Sequence, residues 1–160
     1  MTYLPGERED SRMKHTFILQ EGKWLAKGHY FDDQGKAIPI EGSARITHLK
    51  QFWLNESRMK LLLEDKPVGI VNDYEITPFE AGSDTTTWKC FNPSLGHLYG
   101  KFVIVGDSIL SICASKEGTY TATEYLVKIT DDQYKNRGAF FRGDQKVSSW
   151  EVELKRVQES

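Results

Sequence analysis

From residue 16 onward, β-branched and aromatic residues alternate with polar ones, and turn-forming residues interrupt the chain roughly every ten positions, as in an antiparallel meander. The clearest interruptions are Asp32-Asp33-Gln34-Gly35, Glu64-Asp65-Lys66-Pro67, Gly106-Asp107-Ser108, Lys116-Glu117-Gly118 and Arg142-Gly143-Asp144. Each offers residues that accept the backbone angles of tight turns. Between them the pattern predicts strands near 22–31, 42–50, 52–63, 68–77, 86–91, 98–105, 108–115, 119–129, 138–142 and 146–157. No stretch sustains a helical period. Residues 1–15 are expected to form an N-terminal tail or short helix, and residues 16–160 a single domain. Thr130 followed by Asp131, Asp132 and Gln133 has the chemistry of a helix cap, so a helical turn is expected within 130–137. About ten strands would leave costly edges in an open sheet, and closure into an up-and-down barrel removes them. A two-sheet sandwich is the competing arrangement.

Alternation also sorts side chains by face. Asp73 and Glu75 should face water, which turns Val68, Ile70, Asn72, Tyr74 and Ile76 inward. Trp53, Asn55, Ser57, Met59, Leu61 and Leu63 share a face opposite Glu56, Arg58 and Lys60. Near the C-terminus Trp150, Val152 and Leu154 oppose Glu151, Glu153 and Lys155, and Arg156 falls in phase with the apolar set. A charge in that register needs a partner.

Gly22-Lys23-Trp24, at the start of the first predicted strand, supplies one. This Gly-x-Trp, paired with an arginine late in the last strand, resembles the calycin superfamily of lipocalin-like and fatty-acid-binding-protein-like barrels. The resemblance implies that Arg156 packs across Trp24 and closes the barrel floor, a favourable stacking of guanidinium on indole. It also implies that Gly22, Trp24 and Arg156 are structural and that a ligand occupies the interior. Related haem-binding barrels read Gly-x-Trp-x-Gly-x-Gly. Here Gly22, Trp24 and Gly28 match, but Ala26 stands where a glycine is expected, and no histidine follows His97 to serve as the late axial ligand. Haem is disfavoured, and no cofactor is expected.

Composition narrows the picture further. Basic and acidic side chains number 21 and 23, for a formal charge of −2, so no excess of basic charge points to nucleic acid. The first fifteen residues are polar, and no apolar run approaches the roughly 18 residues that span a bilayer. With no secretory signal, Cys90 and Cys113 are expected to be reduced and the protein cytoplasmic.

Candidate chemistry is sparse. Phe102-Val103-Ile104-Val105-Gly106-Asp107-Ser108-Ile109 resembles the nucleophile block of a lipase and esterase family, but that family needs a later histidine and none follows Ser108. A hairpin turn at Gly106-Asp107 is the expected reading. His15, His29, His48 and His97 show no metal-ligand spacing. His48 alternates in phase with Ala44 and Ile46, which makes it the best acid–base candidate, although a core histidine would sit there too. Asp32-Asp33 and Asp131-Asp132 belong in turns as solvated charge. The stretch Pro78–Asp84 is long for a hairpin and is expected to form a rim, a lid or an ordinary connection.

The predicted interior therefore collects His48, Trp53, Asn55, Asn72, Tyr74, Trp88, Cys90 and Tyr125, aromatics with a few uncharged polar groups. Such a set lines pockets for mostly apolar ligands, and it also fills solid barrels. The leading expectation is a small hydrophobic or aromatic molecule held inside. Two alternatives stay open. One is a lyase or isomerase acting on a small aromatic or unsaturated compound through a cavity His or Tyr. The other is a non-catalytic interaction domain anchored by an outward Trp150.

Overall fold

A computed structural model describes residues 14–159, and these form ten strands with no helix among them. The strands are β1 (Gly22–Phe31), β2 (Ala37–His48), β3 (Trp53–Leu62), β4 (Pro67–Ile76), β5 (Thr85–Asn92), β6 (Gly96–Val105), β7 (Ser108–Ser115), β8 (Tyr120–Thr130), β9 (Gln133–Arg142) and β10 (Gln145–Arg156). Each pairs antiparallel with the next, and β10 returns to β1, so the sheet closes in chain order. Closure excludes the sandwich. Of the expected tail, residues 1–13 lie outside the described residues.

Turn chemistry explains the tightest connections. Gly106 (φ 58°) and Gly143 (φ 61°) each lead a two-residue Gly-Asp hairpin, the position where such a turn demands a positive φ. The Gly-Asp-Ser sequence is thus a turn, with Ser108 opening β7.

Two expectations are corrected. The helical turn within 130–137 is absent: Asp131 and Asp132 make a hairpin turn, the Asp132 N–H donates to Thr130 Oγ1 at 3.2 Å, and β9 begins at Gln133. Thr and Asp serve hairpin turns as readily as helix caps, and only pairing with β8 and β10 decides between them. Likewise β2 begins at Ala37 rather than near 42, because Pro39, which donates no hydrogen bond, is still accommodated opposite His29.

The inward side chains form a connected set around the barrel. One end is solid. Trp24 and Tyr134 are fully buried there, with ring centroids 5.6 Å apart at near right angles, and Phe17 meets Trp24 edge-on at 5.3 Å. The segment ahead of β1 plugs this end as a single turn, with Gln20 N–H donating to the Thr16 carbonyl at 3.0 Å. Ile18 within it is buried at φ 72°, a strained angle for a β-branched residue. Packing holds it, and His48 Nε2 donates to its carbonyl at 2.8 Å. His15 is buried in the same plug: Nε2 donates to the Gly106 carbonyl at 2.9 Å, and Nδ1 accepts from Tyr134 Oη at 2.7 Å.

The guanidinium carbon of Arg156 lies 5.5 Å from the Trp24 ring centroid, and the two residues are direct partners in the β1–β10 ladder. Arg156 Nε donates to Asp132 Oδ1 at 2.9 Å, and Nη1 to Gln20 Oε1 at 3.0 Å. Gly22 lies beside it, 3.6 Å from Arg156 Cδ at the point a Cβ would occupy. The odd arginine ties β1, β10, the 131–132 turn and the plug together.

Candidate functional site: an acceptor-lined cavity inside the barrel

Above that floor the barrel encloses a cavity of about 280 Å³. Its apolar wall includes Ile40, Met59, Ile70, Phe102, Leu126 and Val152, and its aromatic wall Tyr30, Tyr74, Trp88 and Trp150. Polar groups enter from β3 (Asn55, Ser57), β4 (Asn72), β8 (Glu124) and β9 (Asn136).

Two glycines make room for two tryptophans. A Cβ on Gly138 would stand 2.1 Å from Trp150 Cζ2, and one on Gly100 would stand 2.1 Å from Trp88 Cε2. The indoles therefore lie against bare backbone on neighbouring strands, which leaves space in the middle of the barrel. Both indole N–H groups are satisfied: Trp150 donates to Asn136 Oδ1 at 3.0 Å and Trp88 to Ser111 Oγ at 3.3 Å. Gly138 and Ser111 are the two ladder partners of Glu124, one on either side. The tryptophans thus flank a carboxylate.

Glu124 accepts from Asn136 Nδ2 at 3.1 Å, and Asn136 is fixed in turn by a bond to the Tyr125 carbonyl at 3.0 Å. Enclosure raises the Glu124 pKa above the ordinary carboxylate value, and hydrogen bonds from Asn136 and Trp150 oppose that rise. No salt bridge reaches Glu124 among the described residues, and it is the one charged side chain in the cavity wall. Burial, then the charge of Glu124, pushes the Tyr74 phenol well above its usual value. Tyr74 meets Trp88 edge-on at 5.2 Å and stands opposite Asn55 in the β3–β4 ladder. Asn55 Oδ1 is buried with no hydrogen-bond partner. A buried acceptor left empty costs about 1–3 kcal/mol, so a partner arriving with a ligand would recover that cost.

The residues expected inside are only partly gathered here. Asn55, Asn72, Tyr74 and Trp88 line the cavity. Asn72 Oδ1 accepts from Asn92 Nδ2 at 2.9 Å, with Cys90 Sγ 3.8 Å away; Cys90 itself is packed behind the wall, and burial pushes its thiol up to about 11. His48 and Trp53 point inward but below the cavity, stacked at 3.9 Å in the floor, with Phe79 against Trp53 at 6.2 Å. The 78–84 connection consequently leaves the floor end and is no lid over the cavity. Tyr125 is a correction, since its side chain stands on the outer face, 42% exposed. In β8 the more apolar phase, Thr123, Tyr125, Val127 and Ile129, faces out, and Ala122, Glu124 and Leu126 face in. An interior carboxylate inverts the pattern that put Tyr125 inside.

Glu124 and Asn136 are site residues not singled out from the sequence, whereas Trp150 faces the cavity in the phase it shares with Val152 and Leu154. The signal for Glu124 was present: it shares a phase with Ala122 and Leu126, as Arg156 does with Val152 and Leu154. A larger depression of about 1170 Å³ lies on the outside of β4–β8, bordered by Glu75, Lys89, Tyr99, Lys101 and Ile112. The Lys89–Glu75 pair bridges across it at 3.5 Å, and it is a solvated surface rather than an enclosed site. Among the described residues no group of three or more His, Cys, Asp or Glu side chains is gathered as metal ligands, and no helix is long and apolar enough to cross a membrane.

The closed antiparallel barrel, with tryptophan and arginine locking its floor, is a lipocalin-like, calycin-type barrel. Solved structures agree. The chain is similar to the S-type phycobiliprotein lyase CPES from Guillardia theta, with TM-score 0.65 and 9% identity over 90% of this chain and 92% of that one. It is also similar to Rv2717c from M. tuberculosis, with TM-score 0.67 and 11% identity over 89% of this chain and 95% of that one. At such identities the likeness is one of fold. No protein-family model matches the chain, and no curated protein sequence matches it.

Proposed function

We propose that this protein binds a small, largely aromatic molecule inside its barrel. The observation that carries the reading is an aromatic cavity that retains unmet hydrogen-bonding capacity, above all the empty Asn55 acceptor. A barrel that served only as a solid scaffold would fill that space with apolar side chains, as the floor around Trp24 and Tyr134 is filled. In this reading Trp88, Trp150 and Phe102 supply apolar and stacking area, and Asn55, Asn72, Tyr74 and Glu124 orient the ligand. His48 and Trp53 support the floor, and Trp24 and Arg156 lock it. The free thiols Cys90 and Cys113 fit a reducing, cytoplasmic setting.

A second reading has its own support. One similar barrel is named a lyase, and Glu124 and Tyr74 are enclosed groups whose proton affinities are raised together. Such a pair is suited to exchanging a proton with a bound unsaturated compound, a role His48 cannot take from the floor. An interaction domain anchored by Trp150 has less in its favour, because that side chain lines the cavity.

The test is to purify the protein under native conditions, denature it, and identify by mass spectrometry what it releases. A stoichiometric aromatic compound supports binding. A compound released as two chemically related species, one formed from the other on incubation, favours the enzyme reading. A protein that releases nothing and admits no small aromatic probe contradicts both.

A further inference from the structure

We infer that the cavity selects an organic cation: a one- or two-ring compound whose protonated amine sits against Glu124 between Trp88, Trp150 and Tyr74. The inference rests on the binding reading above and specifies its ligand class.

The wall is rich in acceptors. Among the described residues Glu124 has only neutral donors around it, the Asn136 amide and the Trp150 indole, and the polar atom of the cavity wall that no protein group meets is Asn55 Oδ1, again an acceptor. A half-buried carboxylate with no cation beside it is poorly compensated, and a ligand that brings both a positive charge and N–H donors would meet Glu124 and Asn55 together. The surroundings of Glu124 suit the rest of such a ligand. The two indoles flank Glu124 through its ladder partners Gly138 and Ser111, and Tyr74 packs on Trp88. These rings supply apolar area for the aromatic part of an amine whose ammonium meets the carboxylate. An anionic ligand would meet the carboxylate with no counter-cation among the described residues of the wall.

Volume sets the size class. A cavity of about 280 Å³ holds the liquid volume of roughly nine waters. One or two rings with a short amine arm fill it.

Isothermal titration calorimetry on the full chain tests the inference with matched compounds. The set is 2-phenylethylamine, 2-phenylethanol and phenylacetate, together with the corresponding three derivatives of naphthalene. The amine should bind on the order of tenfold more tightly than the alcohol of the same ring, and the acid should bind weakest. In Glu124→Gln, whose amide still accepts from Asn136, the amine should lose on the order of tenfold while the alcohol is little changed. If that variant fails to fold, the wild-type amine-to-alcohol ratio is followed from about pH 8 downward, and it should fall as Glu124, whose pKa burial raises, takes up a proton. The titratable groups facing Glu124 are Tyr74 and Cys113, the latter pushed up to about 11 by burial, and both stay neutral throughout that range. Alcohols binding as well as amines, an amine preference that survives Glu124→Gln, or a ratio flat with pH would overturn the cation inference and leave the cavity reading standing. Failure of all six compounds to bind would overturn both.

Discussion

Trp150 lies directly on Gly138, so closely that a Cβ on the glycine would stand 2.1 Å from the indole. This contact fixes where the indole N–H points, and through Asn136 it fixes the donor to Glu124. A methyl group at Gly138 forces the indole into the cavity or the strands apart. Gly138→Ala should therefore destabilise the protein by about 1–3 kcal/mol, the usual cost of overpacking, and should also abolish binding of small aromatics. Denaturant unfolding and calorimetry measure the two effects. Gly100→Ala should act in the same way through Trp88.

Arg156 illustrates a different kind of contribution. Its guanidinium is partly exposed, so its ion pair with Asp132 is screened and contributes little. The bond to Gln20 is exposed as well, whereas the stacking is on the fully buried Trp24. Arg156→Ala should cost about 1–2 kcal/mol, and Arg156→Lys should recover only part of it, since lysine cannot stack and donate in two directions at once. Chemical denaturation of the two variants gives the comparison directly.

Asn55 sets stability against function. Its carbonyl oxygen is buried and unpaired, so Asn55→Leu should leave the empty protein as stable or raise its stability by about 1 kcal/mol. The same change should weaken ligand binding. Loss of stability without loss of binding would assign Asn55 to packing alone.

His15 supplies a pH dependence. Burial holds its pKa below the ordinary histidine value, so between its folded pKa and about 6.5 the unfolded chain binds more protons than the folded one. Stability is then fully present above about pH 6.5 and is lost as pH falls below it. Glu124, with a raised pKa, contributes in the opposite sense, stabilising the fold at the acid end. Subtracting the stability–pH curve of His15→Gln from that of wild type isolates the histidine. The difference should slope upward with pH below about 6.5 and be flat above it.

The strand pattern carried most of the fold because ten short strands alternate cleanly wherever one face meets water. Arg156 was legible for the same reason, as a charge in the wrong phase with an indole waiting for it. Alternation failed in β8, where the inward phase carries Glu124 and the outward phase carries Tyr125. A rule that sends charge outward must misplace a strand whose charge lies within the cavity. It also could not separate His48 and Trp53 from Asn55 and Tyr74, since all four share the inward face and differ only in height above the floor. Height depends on register and on the plug around Ile18, neither of which a periodicity records. At Asp131-Asp132 local chemistry was ambiguous, and pairing with distant strands decided the outcome.

The central claim, that the ligand site is the barrel interior, has a direct test in Met59. It lines the cavity, and the other two methionines, Met1 and Met13, are the first and thirteenth residues of the chain. With methionine, isoleucine and leucine methyl groups labelled with carbon-13, nuclear Overhauser effects are measured in the presence of 2-phenylethylamine. The account predicts contacts between the ring protons and the Met59 methyl group. Contacts confined to outer-face methyl groups such as those of Ile112 and Leu110, with Met59 unaffected, would contradict it.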